Sequence, residues 1–380
     1  MSFKEFPDAD DVPHYAILSH VWQEDEVLFH DMRSLDEARK KQGFSKISGC
    51  CAESIIDGCA WVWIDTCCID KTSSSELSEA INSMYAWYSK SEVCYAYLYD
   101  VPAGDPCAEH RSSFRKSRWF TRGWTLQELI APKEMVFLAR DWSFLGMRKD
   151  LVDTICDITR VDRDLLLGFA KKLSIAQRMS WAAQRVTTRV EDKAYSLMGL
   201  FGIQMPTIYG EGKQAFIRLQ QEIMRRFQDH SIFAWTFTPK NDEPSPNGFL
   251  APSSACFKDN STIPIPYDDF VQMFDISHPL PEHSVTNYGI RIQLPLKPIE
   301  GREGEYLAAL ACRDQATSKN CFLVLRRIKG TVDQYSREIL RYMEYESSEA
   351  SKFTAQIVYL SDHEQLLGAE TYNISKDELR

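Results

Sequence analysis

No stretch of the 380 residues approaches the roughly 18 consecutive apolar side chains that a membrane-spanning helix needs, so no span is expected. The opening residues Met1 to Asp11 carry acids where a secretory leader would carry a basic patch and an apolar run, which points to the cytosol. Disulfide staples are not expected either. The eleven cysteines, in a long chain without a leader, read as reduced and mostly buried thiols. Positive charge is in deficit: the net charge of −10 excludes a general binder of nucleic acid or anionic membrane, whose affinity comes from neutralising phosphates.

Several chemical signatures are also missing. The chain has no Gly-x-Gly-x-x-Gly, Walker loop, Gly-x-Ser-x-Gly or His-Glu-x-x-His, which removes support for dinucleotide redox, nucleotide hydrolysis, serine esterase and zincin chemistry. Gly210 to Lys213 (GEGK) lacks phosphate-loop spacing and reads as a turn opening a helix. Cys50-Cys51 and Cys67-Cys68 are adjacent pairs rather than Cys-x-x-Cys, so no metal is expected. Internal repeats are absent as well.

What is present is a chain of ordinary globular composition, 44% apolar and 26% charged, long enough for two or three domains at roughly 150 residues each. Charge divides it into three parts: −8 over residues 1–145, +5 over 146–240 and −7 over 241–380. In the first part, His14 to His20 reads as a strand, and Phe44, Ile47, Cys51, Ile55 and Cys59 recur at helical spacing. Trp61 to Thr66 reads as a buried strand delivering Asp65 at its end. Ser73 and Glu76 have capping-box spacing ahead of the stripe Leu77, Ile81, Met84 and Tyr88. Strands at Val93 to Tyr99 and Met135 to Ala139 and a helix at Thr125 to Ile130 complete an alternating order, which predicts an open, mainly parallel sheet flanked by helices.

In such sheets ligands collect outside the carboxyl ends of the strands, which here carry Ser19, His20, Asp65 and Asp100. Each alone would serve equally well as a cap or turn former. Arg111 to Arg122 holds five cations and no acid inside an acidic segment, and reads either as a solvated face or as an anion site using Arg118 and Arg122. Directly after it, Glu128 lies four residues beyond Trp124, on the same helix face. A partly desolvated carboxylate beside an aromatic can act on a glycosidic bond by stabilising an oxocarbenium-like centre. A surface glutamate paired with Arg122 or Lys133 is the plainer alternative.

Tyr15 to Trp22 (YAILSHVW), Trp61 to Tyr88 and Ser117 to Pro132 (SRWFTRGWTLQELIAP) together resemble the fungal heterokaryon-incompatibility (HET) domain, and Arg178 to Ile223 resembles the region that commonly follows it. The resemblance implies non-self recognition and programmed cell death. The HET domain in turn is similar to TIR domains, and Ser117 to Leu129 resembles their stretch ending in Trp-Cys-x-x-Glu-Leu, with Thr125 in place of the cysteine. That likeness implies a TIR-like (flavodoxin-like) fold, with Glu128 as the carboxylate that cleaves the nicotinamide-ribose bond of NAD and Trp124 packed beside it. NAD would be a substrate, and no cofactor is implied. The first-strand motif, Ser19-His20-Val21-Trp22, is not that of TIR domains, so base and phosphate contacts do not carry over. Trp22, Trp119, Phe120 and Trp124 are candidates to stack on nicotinamide or adenine. The alternative is a non-enzymatic death-signalling module that acts by self-association or by recruiting a partner death protein.

Residues 146–240 are expected to form a basic helical extension, with Thr188 and Glu191 as a second capping box and Arg185 and Arg189 as possible anion contacts. Residues 241–380 are expected to form a small antiparallel β-domain for binding or regulation, from runs such as Gly289 to Leu296, Tyr306 to Cys312, Cys321 to Ile328 and Ala355 to Leu360.

Overall fold

The computed structural model describes residues 4–6, 11–237, 248–345 and 347–361. It divides into two compact units, Met1–Lys171 with Arg185–Gly210, and Lys172–Gln184 with Glu211–Arg380. The basic middle segment is thus shared between the two rather than forming a body of its own. Among the described residues no helix is long and apolar enough to cross a membrane. All eleven cysteines are unpaired.

The first unit holds a five-stranded sheet ordered β2-β1-β3-β4-β5, with β1 (Tyr15–His20), β2 (Trp61–Trp63), β3 (Val93–Tyr97) and β4 (Met135–Leu138) parallel. The sheet is thus open and mainly parallel. β5 (Phe144–Met147) returns antiparallel on β4 and was not visible in the sequence pattern, because its Gly146 interrupts a run of only four residues. The helix Phe44–Ile56 packs Ile47 and Cys50 on one face of the sheet against Ala16, Leu18, Tyr95 and Tyr97. The helix Ser74–Lys90 connects β2 to β3, and its Tyr88 hydroxyl donates to the Leu18 carbonyl at 3.1 Å. β1 therefore feeds a neighbour on each side, and the gap between β1 and β3 is the switch point where such sheets take their ligands.

Three expectations about this unit need correction. β2 ends at Trp63 and its residues are half-buried, because it is the edge strand; Asp65 opens a one-turn helix, Asp65–Cys68, instead of closing a strand. The Ser73 hydroxyl does accept the Glu76 N–H, but the Glu76 carboxylate turns to the Asp70 N–H, so the reciprocal half of the box is absent. Likewise Glu191, not Thr188, stands at the start of the helix Asp192–Tyr195, with no side-chain cap.

The second unit carries β6 (Thr262–Pro264), β7 (Ser284–Thr286), β8 (Gly289–Pro298), β9 (Glu305–Asp314), β10 (Asn320–Arg327), β11 (Gln334–Met343) and β12 (Thr354–Leu360). The pairings β8–β9–β10–β11–β12–β8 close on themselves, so the expected antiparallel domain is barrel-like, with one short parallel contact between β11 and β12. β9 is buried on both faces, one covered by closure and the other by a covering segment that includes the helix Tyr267–Met273. Ala308 stands opposite Leu296 and Leu323, while Leu307, Ala309 and Ala311 pack outward on Phe270 and Phe274 of the covering segment. The charged residues Arg337, Glu338 and Arg341 masked β11 in the sequence, although it pairs along all of β10.

Candidate functional site

Side chains alternate along a strand, so consecutive residues at the end of β1 serve opposite faces of the sheet. Ser19 joins a buried network on one of them. The Trp119 indole donates to Ser19 Oγ at 2.8 Å, and Ser19 Oγ donates in turn to Glu128 Oε2. Glu128 lies in the helix Thr125–Ile130, every residue of which is buried, and is 6% exposed. Burial is the main reason its carboxyl is raised to about 8; the Ser19 hydrogen bond, Arg122 and Arg185 oppose the rise, and the Asp65 charge adds to it.

Arg185 reaches this point through the chain segment that returns to the first unit. Val186 bridges Arg122 in parallel fashion, with Gly123 N–H on the Val186 carbonyl at 2.8 Å and Val186 N–H on the Thr121 carbonyl at 2.7 Å. Gly123 is required there, since a Cβ would stand 2.5 Å from Thr187 Cγ2. Arg185 Nη1 then donates to the Arg122 carbonyl at 2.8 Å and to Thr125 Oγ1 at 3.0 Å. Burial pulls the guanidinium down to about 9, against the attraction of Glu128.

His20 points into the second half of the site. Its Nε2 lies 3.1 Å from Asp65 Oδ1, and the Trp22 indole donates to Asp65 Oδ2 at 2.7 Å. Burial opposes ionisation of Asp65, but His20, Lys71 and Trp22 overcome it and hold the carboxyl down at about 2. Behind His20 lies a buried ion pair, Lys46 with Glu26; Lys46 Nζ also donates to the Val21 carbonyl at 3.1 Å, and His20 Nδ1 stands 3.9 Å from Glu26. The end of β1 is thus set between two carboxyls tuned in opposite directions, one ionised and one largely neutral near pH 7. Such divergence marks sites of acid–base and ion-stabilising chemistry. Among the described residues no cluster of three or more His, Cys, Asp or Glu side chains is arranged to hold a metal ion.

The structure reassigns several candidates. Trp124 hydrogen-bonds Asp192, so the tryptophan in the Glu128 network is Trp119, which is wholly buried and unable to stack on a ligand. Phe120 is core as well, packed on Phe114 and Phe137. Arg118 is exposed, with Nη1 on the Tyr99 hydroxyl at 3.3 Å, and is not among the charges acting on Glu128. Asp100 is a cap: its carboxylate accepts the Ser117 hydroxyl at 2.7 Å and the Arg118 N–H at 2.8 Å. Arg115 is spent on Asp157 at 3.2 Å. The basic stretch therefore places only Arg122 beside Glu128, while Ser19, His20, Asp65, Trp22 and Glu128 do gather at one strand end. Sequence reasoning missed Glu26, Lys46 and Lys71; Glu26 and Lys71 each follow a strand-end candidate, His20 and Asp65, by six residues, whereas Lys46 sits in the helix Phe44–Ile56 with no such signal.

Residues 15–108 match the family model described as heterokaryon incompatibility protein (HET), and residues 214–363 match a domain of unknown function, DUF8212. The first match ends before Trp119 and Glu128. Vegetative incompatibility protein HET-E-1 of Podospora anserina is 46% identical over 222 residues, which is 56% of this chain but 16% of that relative. The chain therefore corresponds to only about a sixth of that protein's length. No solved structure matches.

Proposed function

We propose that this chain, which carries a heterokaryon-incompatibility domain over residues 15–108, acts in the cytosol as a non-self recognition and cell-death effector that hydrolyses the nicotinamide-ribose bond of NAD through Glu128. The observation that carries the reading is a buried carboxyl held by Ser19 at the β1 switch point, opposite an ionised Asp65. The incompatibility role rests on the likeness to HET-E-1, and the reaction on the resemblance of Ser117 to Leu129 to the TIR stretch ending in the reactive glutamate.

The chemistry asks little of the protein beyond charge and position. As the C1′–N bond breaks, its electron pair leaves with nicotinamide, and the positive charge that remains spreads over the ribose ring. Glu128, in the ionised form that grows in as pH approaches about 8, stabilises that charge; water then adds to C1′ and loses a proton, giving ADP-ribose, nicotinamide and H⁺. Ser19 fixes the carboxylate, and Trp119 fixes Ser19, so the orientation is established before substrate arrives. Self-association is expected to complete the site, as in TIR-like enzymes.

Purified protein, dilute and concentrated to promote assembly, is incubated with NAD and nicotinamide release is followed. Wild type is expected to release nicotinamide and Glu128→Gln to lose the activity. No release from either preparation, or an equally active variant, refutes the reading.

A further inference from the structure

Lys71 follows the one-turn helix Asp65–Cys68, and its ammonium is buried at the atom while the side chain as a whole keeps 28% exposure. Nζ sits 3.2 Å from the centroid of the Trp22 ring and 3.9 Å from Asp65 Oδ2, too far for a hydrogen bond. Both Asp65 oxygens are already engaged, one by His20 and the other by Trp22. Among the described residues the three N–H donors of Lys71 have no hydrogen-bond acceptor. An ammonium is a strongly hydrated point charge, so a buried one resting on an indole face has its hydrogen-bonding capacity unspent. Neutralising Asp65 would explain the charge but not the location, since a shorter approach to the carboxylate would do that better.

We propose that Lys71 is the oxyanion-binding cation of this site: it swings off the Trp22 ring to take a phosphate oxygen of a nucleoside diphosphate, baring the indole face for the ligand. This rests on the nucleotide reading above and names the group that recognises the phosphates. Trp22 is 37% exposed with Lys71 over it, so its accessible surface grows when the ammonium leaves. Arg122 supplies a further cation on the Glu128 side.

The test is calorimetric titration of the full chain with ADP-ribose, inorganic pyrophosphate and adenosine, alongside nicotinamide release. Wild type is expected to bind the first two and to bind adenosine at least about tenfold more weakly. Lys71→Met is expected to weaken ADP-ribose by about tenfold or more, with Lys71→Arg restoring most of it because charge, not shape, is needed. A folded Lys71→Met protein, checked by circular dichroism, that binds ADP-ribose as wild type does overturns the inference, as does a wild type that binds neither phosphate compound. Lys71-dependent binding without nicotinamide release sustains Lys71 and defeats the hydrolase reading; release with an unchanged KM in Lys71→Met does the reverse.

Discussion

Ser19 and Glu128 stand 109 residues apart in the chain and are joined by a buried hydrogen bond in which the serine hydroxyl donates to the carboxylate. The bond ties the first strand to a helix that forms after three of the four parallel strands are complete. Ser19→Ala removes the donor and leaves the Trp119 indole without its acceptor. The expected result is a fall in kcat for NAD hydrolysis of roughly 10–100-fold with KM little changed, because orientation rather than binding is lost. Trp119→Phe is expected to act in the same direction through Ser19. Steady-state kinetics on the two variants checks this.

The raised Glu128 carboxyl fixes the pH dependence. With the carboxylate as the reacting form, kcat/KM rises with pH and levels off above about 8. The same displacement has a stability sign. The folded state keeps the proton that an unfolded glutamate has already lost above its ordinary value of 4.5, so stability falls as pH rises from there to about 8. Glu128→Gln removes this limb. Denaturant midpoints between pH 5 and 8 are expected to converge with or cross in favour of the variant, at no more than about 1.4 kcal/mol per pH unit.

His230 in the second unit gives an acid limb of opposite sense. It is buried, accepts the Ala311 N–H at 3.1 Å on Nδ1, and is held down at about 3 by burial and by neighbouring His283. Its stabilising preference for the neutral ring is complete above the ordinary histidine value of 6.5 and is lost as pH falls toward 3. Urea titrations at pH 7 and 5 are expected to show a steeper loss for wild type than for His230→Phe, although the variant starts lower for want of the Ala311 acceptor.

Gly49 lies in the helix Phe44–Ile56, between Ile47 and Cys51 of the helical stripe. A Cβ there would stand 2.1 Å from the Trp142 indole, which stacks on Tyr97 at 4.7 Å and is held by a backbone φ of 67°. Gly49→Ala is expected to destabilise the first unit by about 1–3 kcal/mol despite the better helix propensity of alanine. Thermal unfolding of the variant measures it; an unchanged or raised midpoint contradicts the packing.

The sequence alone determined what is periodic or local. Apolar alternation and helical spacing placed β1, β3, β4 and the helices Ser74–Lys90 and Thr125–Ile130, and the parallel order followed from their succession. The expected strand ends named Ser19, His20 and Asp65, along with Asp100, which is a cap, and the aromatic candidates named Trp22. Tertiary structure decided the pairings that carry no local signature. It gave Glu128 to Ser19 and Trp119 instead of Trp124, brought Arg185 back beside it through the Val186 bridge, and set Lys71 over Trp22. It also closed the second unit's strands into a barrel. Spacing within one helix or strand is fixed by backbone geometry, whereas which buried carboxyl meets which hydroxyl or cation depends on contacts between segments tens to more than a hundred residues apart. The protonation states that give the site its chemistry exist only once those contacts have excluded water.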